Sequence, residues 1–403
     1  MRLKPTGRLK TVLKSLLNIL ILLFIFLIGV NVGNGRININ IHHNHSVAGN
    51  LPSSLNYSQV NQVYKSLKDN YDGKLTSKQL EDGLKHGLAE STNDPYTEYF
   101  TPQEAKKFNS ELNNSFSGIG AELGKDKDGN LQIIAPISGT PADQAGLKAQ
   151  DLIAGINGNS TAGLSVDAAV NKIRGPAGTK VNLQIVRGGT QALNLTITRA
   201  NITVPSVTTK TLPGNIGYIK ISTFADDTAA LTKQAADKFK QEGVKAIILD
   251  LRDNPGGLLD ASVKVSSLWL DPGQKILDEK RGTEVVNTYN ASGNDELHGI
   301  PTVILINGGS ASASEITTGA LHDNKDAYVI GEKSYGKGVV QQLINFGDDS
   351  QLKVTVAGWF RPNGQTINHH GIVPDKTVKL SDTDAKAGND TQLQAAQSYL
   401  SAP

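Results

Sequence analysis

Apolar positions along this chain follow four successive patterns. Residues 16–32 form a nearly unbroken apolar run, interrupted only by Asn18, Gly29 and Asn31. Farther on, Val60, Val63 and Leu67, then Leu80, Leu84 and Leu88, recur at three- and four-residue spacing, which predicts two amphipathic helices. Thr76 or Ser77 is placed to cap the second, and the turn Asn93-Asp94-Pro95 ends it. Between 116 and 199 the pattern shortens to β-type runs at 119–123, 131–135, 152–156 and 181–186, separated by Gly-rich turns and two short helices at 142–145 and 165–173. A small β-barrel with two helices fits it. Beyond residue 202, buried-strand runs at 216–221, 246–251, 303–306 and 327–330 alternate with helical stretches at 228–241, 259–270 and 314–321, which predicts α/β layering with strands buried on both faces.

Length and charge place these patterns in a multidomain α+β chain of 403 residues. The expected division is an N-terminal anchor at 1–33, a polar linker at 34–54, a helical region at 55–115, the β-domain at 116–200, an α/β core at 201–380 and a short, polar, helix-prone tail at 381–403. Arg2, Lys4, Arg8, Lys10 and Lys14 precede the first apolar run without an acidic residue among them, the pattern of an export signal. Such basic flanks stay cytoplasmic, so everything after about residue 34 is expected outside, at a bacterial cell surface. No small-residue cleavage site follows Val32, which favours an uncleaved single-pass membrane anchor. His42, His43 and His45 in the linker lack a carboxylate to complete a metal site and read as solvated polar residues. Forty Lys+Arg against 38 Asp+Glu leave a net charge of +2, which gives no electrostatic case for nucleic acid. The chain has no cysteine, so any nucleophile is an oxygen and stability comes from packed cores.

The candidate chemistry lies in the second half. The strand around 303–306 breaks at Gly308-Gly309 and enters a helix through Ser310, Ala311, Ser312, Ala313 and Ser314. A hydroxyl at a strand-to-helix junction sits among the free N–H groups of the helix start, which can orient it and stabilise an oxyanion. The same serines could equally be helix caps, and this segment alone does not separate the two readings. A Ser-His-Asp arrangement is not apparent, because His298, His322, His369 and His370 fall in polar turns or on helix surfaces. Lys337, between Gly336 and Gly338, is the remaining base candidate: a desolvated lysine sheds its proton readily. Gln341 is placed to orient the amine without the charge that a carboxylate would bring. Residues 331–337 also match the spacing of a phosphate-binding loop, but Gly338 stands where the Mg²⁺-ligating Ser or Thr belongs, and Val339-Val340 reads as strand.

Several of these segments occur together, in order. Gly309-Ser-Ala-Ser-Ala-Ser-Glu315, Gly331-Glu-Lys-Ser-Tyr-Gly-Lys-Gly338 with Gln341, and Leu249-Asp-Leu-Arg-Asp-Asn-Pro-Gly-Gly257 resemble the carboxyl-terminal processing (tail-specific) serine peptidases. So do the segments at 94–102, 359–364 and 371–375. The resemblance implies a crotonase-like or ClpP-like core, with Ser312 as nucleophile, Lys337 as general base and Gln341 as the lysine's partner. It further assigns the oxyanion hole to the N–H groups of Ala313 and Gly257, makes Ser310 and Ser314 supports, and calls for no metal or cofactor. By the same resemblance the β-domain is a PDZ module, with Phe116, Gly118, Ile119, Gly120 and Ala121 forming the loop that captures a peptide's terminal carboxylate. The expected partners are proteins or peptides with free C-termini, together with a homodimer formed through the helical region or an accessory activator. A wall-binding domain found in some relatives is not expected after residue 379. The alternatives are a catalytically silent PDZ adaptor and a hydrolase or acyl-transfer enzyme acting on cell-wall peptides.

Overall fold

The computed structural model describes Pro52 and residues 54–293, 296–381, 383–384 and 387–401. The apolar run at 16–32, the three linker histidines and nearly all of the linker lie outside the described residues. Two compact units divide the chain between Leu75 and Thr76. In the first, the helix Tyr57–Asn70 is capped by the Asn56 side chain and buries none of its residues. Its apolar stripe, Val60, Val63 and Leu67, is exposed.

The second unit begins with the helix Ser77–Glu90, whose capping box pairs Thr76 with Gln79, and continues to the helix Pro102–Leu112, capped likewise by Thr101 and Glu104. Between them the short strand Glu98–Phe100 adds to an antiparallel sheet made by Gln351–Phe360, Lys275–Arg281, Glu284–Asn290 and Val339–Asn345. A segment from before the β-domain is thereby built into the core sheet.

The β-domain closes around Ile133, Ile153, Val181, Leu183 and Ile185, each 2% exposed or less. Its strands run Ala121–Lys125, Leu131–Pro136, Leu152–Ile156, Lys180–Arg187 and Gln191–Thr198 in spatial order, with helices Pro141–Gln144 and Val166–Ile173. Both ends of this insertion pass through one two-stranded ribbon, in which Ser115–Gly118 pairs antiparallel with Ala200–Thr203.

In the core, strands Val207–Leu212, Ile216–Ile221, Ala246–Asp250, Thr302–Ile306, Tyr328–Gly331 and Lys376–Thr377 lie side by side, parallel except for the first pair. Side-chain alternation splits them between two cores. Ile247, Leu249 and Ile304 pack with helices Thr228–Gln241, Leu259–Ser266 and Ala313–Asp323; Ile248, Val303, Leu305 and Ile330 pack on the other face. The residues expected as a polar tail cover that other face: the helix Thr391–Leu400 buries Gln392 and Ala396 there. Arg252 fastens it, bonding the buried Asp250 and reaching Asp390 at 2.8 Å. A lone buried Asp250 would cost several kcal/mol, so this ion pair couples the last helix to the core.

Candidate active site

Three loops at the C-terminal ends of the parallel strands converge. The first follows Ala246–Asp250: Asn254 donates to the Ile221 carbonyl, accepts the Gly256 N–H, and presents its own carbonyl to the Ala311 N–H at 3.0 Å and the Ser314 hydroxyl at 2.9 Å. Gly256, at φ +102°, lies so close to the second loop that a Cβ would stand 2.8 Å from the Ser312 Cβ and 3.0 Å from the Ala313 nitrogen. Gly257, at φ +137°, presses on the Phe224 carbonyl, where a Cβ would sit 2.2 Å away. Both positions need glycine.

The second loop carries the three serines, and their surroundings differ. Ser310 and Ser314 are fully buried and donate to the carbonyls of Leu251 and Asn254, binding the two loops together. Ser312 remains partly exposed, at φ 54° and ψ −114°, outside the regions open to an L-residue. Such a backbone costs about 1–3 kcal/mol and persists only where its surroundings hold it.

Glu315 holds it. This carboxylate, fully buried one turn into the helix, accepts the Ser312 N–H at 2.9 Å and, from the third loop, the Ser334 hydroxyl at 2.6 Å, the Gly336 N–H at 2.7 Å and the Lys337 N–H at 2.9 Å. Burial raises the Glu315 pKa, and the four donors oppose that rise. The Ser334 hydroxyl itself accepts the Ile372 N–H, so its proton points at Glu315. Four donors on two oxygens leave no room for a carboxyl proton.

The loops border one cleft of about 470 Å³, lined by Ser312, Ala313, Gly257, Lys337 and Gln341, with apolar walls that include Leu258, Ile316, Val339 and Trp359. The N–H groups of Ala313 and Gly257 donate to no protein acceptor among the described residues. Lys337 is half-buried, and its pKa is lowered by burial first and then by the like charge of Lys353, with Asp94 opposing. No hydrogen bond joins its amine to Ser312.

Gln341 departs from expectation. A register shift at Val340/Gln341 aims its side chain at the segment before the helix Pro102–Leu112, where it donates to the Tyr96 carbonyl at 2.5 Å instead of contacting the Lys337 amine. Sequence reasoning also gave no role to Glu315, Tyr96 or Lys353. The Ser-x-x-Glu spacing of a capping box was the available signal for Glu315; the other two are brought in by strand pairing.

In the β-domain, Phe116 and Gly118 lie in the ribbon, with the Arg174 guanidinium 5.1 Å from the Phe116 ring centre. The Ile119 side chain is core, and its carbonyl accepts the Ala142 N–H. Gly120, at φ +80°, accepts the Thr140 hydroxyl through its carbonyl. Ala121 opens the strand Ala121–Lys125, which is the outermost strand of its sheet and lies against the helix Val166–Ile173. An extended peptide could pair with such an edge.

The family model for peptidase family S41 matches residues 215–378, and that for a PDZ domain matches 132–187. The carboxy-terminal processing protease CtpA of Bacillus subtilis strain 168 is 38% identical over 344 residues, covering 84% of this chain and 73% of that protein. The chain belongs to this family of peptidases. A relative from Staphylococcus aureus strain N315, named "Probable CtpA-like serine protease", is 39% identical, covering 83% of this chain and 67% of its own. The fold is that of the solved "Putative S41 protease from Bacteroides fragilis NCTC 9343", at TM-score 0.55 and 18% identity, covering 87% of this chain and 99% of that one. This carboxyl-terminal processing peptidase is thus a serine peptidase with a PDZ domain and a mixed α/β fold.

Replacing Glu315 with Gln retains one acceptor oxygen and turns an NH₂ group toward the remaining donors. Each unsatisfied buried donor costs about 1–3 kcal/mol. Glu315→Gln is expected to lower stability in urea by about 2–5 kcal/mol and to reduce turnover. Unchanged urea stability would show that the four bonds do not hold the loops.

Proposed function

We propose that this peptidase cleaves proteins near their C-termini through a Ser312–Lys337 dyad, with the substrate's C-terminus held in the PDZ domain. The observation that carries the dyad is the convergence of Ser312, Lys337, Ala313 and Gly257 on one cleft. Neutral Lys337 takes the Ser312 proton as the oxygen attacks the scissile carbonyl. The Ala313 and Gly257 N–H groups receive the oxyanion, and the lysine returns the proton to the departing amine. Water then hydrolyses the acyl-enzyme by the same route. The depressed Lys337 pKa suits the base role, since a fully charged ammonium cannot accept a proton.

The unpaired edge of Ala121–Lys125 supports strand addition of a substrate tail, with its carboxylate at the Gly118–Ala121 turn. The five N-terminal cations and the apolar run support a membrane-anchored enzyme whose catalytic part works outside the cytoplasm. Among the described residues, no helix is long and apolar enough to cross a membrane; the apolar run lies outside them.

Ser312→Ala is expected to cut turnover by about 10⁴-fold or more, with unfolding unchanged. Lys337→Arg is expected to be equally inactive, because guanidinium stays charged. Activity of wild-type should rise with pH through a limb below the ordinary lysine value of about 10.4. Lys353→Met removes the like charge and should move that limb upward. An active Lys337→Arg enzyme would refute the assignment of the base. For recognition, denatured proteins with free C-termini should be cleaved faster than the same proteins amidated, as read by mass spectrometry; equal rates would exclude capture of the carboxylate. For topology, the catalytic part in intact cells should be digested by protease added outside, and protection of that part would contradict export.

A further inference from the structure

The Lys337 amine faces an aromatic ring that the proposed mechanism leaves unused. Its Nζ stands 5.0 Å from the ring centre of Tyr96, a half-buried residue that comes from upstream of the PDZ domain and lies behind the cleft lining. The backbone beneath that ring is fixed from several sides. Gln341 donates to the Tyr96 carbonyl at 2.5 Å, the Tyr96 N–H donates to Asp94 at 3.1 Å, and the Thr355 N–H donates to the Thr97 hydroxyl at 3.1 Å. The strand that follows, Glu98–Phe100, pairs with Gln351–Lys353. The phenol stays neutral, because burial and the neighbouring Tyr335 raise its pKa.

We propose that Tyr96 completes the base site, its ring face holding the Lys337 amine and stabilising the ammonium that forms as the Ser312 proton arrives. Gln341 then serves the lysine through Tyr96, not by direct contact. This inference rests on the Ser312–Lys337 reading. A neutral amine gains little from an aromatic face and an ammonium gains more, so the contact strengthens as the reaction proceeds and lowers the barrier to acylation. A partly desolvated contact of this kind changes a rate by about 3- to 30-fold. Because the ring touches the base and not the peptide, its loss falls on kcat.

The test uses the full chain with a peptide substrate and a fluorophosphonate probe, which reports acylation-type attack by Ser312 without peptide binding. Measured on the plateau above the pH limb, where Lys337 is neutral, Tyr96→Leu, which fills similar space without a π-face, is expected to lower kcat and the probe rate by about 3- to 30-fold with KM changed less than twofold, and to move the limb downward. Tyr96→Phe should restore most of that loss. Gln341→Ala should produce the same defect, and Tyr96→Leu/Gln341→Ala should be no worse than the more impaired single variant. Thermal unfolding of each variant separates lost chemistry from lost fold. Probe labelling of folded Tyr96→Leu at the wild-type rate, or fully multiplicative losses in the double variant, would overturn the proposal. Activity in Lys337→Ala would instead overturn the dyad on which it rests.

Discussion

A single buried carboxylate joins two loops of the candidate active site. Glu315 takes donors from the turn that carries Ser312 on one side and from the loop that carries Lys337 on the other, so these two residues, in separate segments of sequence, are held in one network. Burying a carboxylate costs several kcal/mol, and here neutral N–H and O–H donors offset that cost in place of a cation. The choice of donors matters electrostatically. A carboxylate paired directly with the Lys337 amine would keep it charged, whereas Glu315 addresses the lysine's backbone and spends its acceptor capacity there.

The other loops repeat this economy. Ser310, Ser314 and Asn254 bond the turn after Ala246–Asp250 to the turn after Thr302–Ile306, while Gly256 lets the two backbones touch. The strain at Ser312 is therefore borne by a network rooted in the parallel strands, which are buried on both faces. Around the lysine the balance is finer: burial and Lys353 favour the neutral amine, and Asp94 favours the charged one. Those two charges enter with the adjoining strand of the antiparallel sheet and the segment before the PDZ domain, so the acid–base properties of Lys337 depend on a near neighbour in sequence, Lys353, and a remote one, Asp94.

Local pattern made much of this legible. The strand Ile216–Ile221 and the helix Thr228–Gln241 could be read from apolar runs and periodicity, because both are buried along regular faces. Strand Gln191–Thr198 went unread although Leu193, Leu195 and Ile197 alternate with polar residues and pack on the domain's core, the period-2 signature of a half-buried strand. The last helix looked like a tail because its buried contacts include Gln392 and an ion pair with Arg252, which hydrophobic pattern does not register. At the site, Ser312, Lys337 and the glycine turn stand in compact motifs. Glu315 had a local mark in its Ser-x-x-Glu spacing, whereas Tyr96 and its bond to Gln341 depend on which segments meet, and pairing across more than two hundred residues leaves no mark on local spacing.

The ribbon that admits the PDZ domain has a consequence for how such chains change. Because Gly118 and Ala200 are paired across it, the two ends of the intervening domain lie side by side, about 5 Å apart as in any antiparallel pair. A tight hairpin is long enough to span that gap, and so is another domain whose termini lie close together. The PDZ domain is geometrically a cassette on the peptidase, replaceable without disturbing the register of the core sheets.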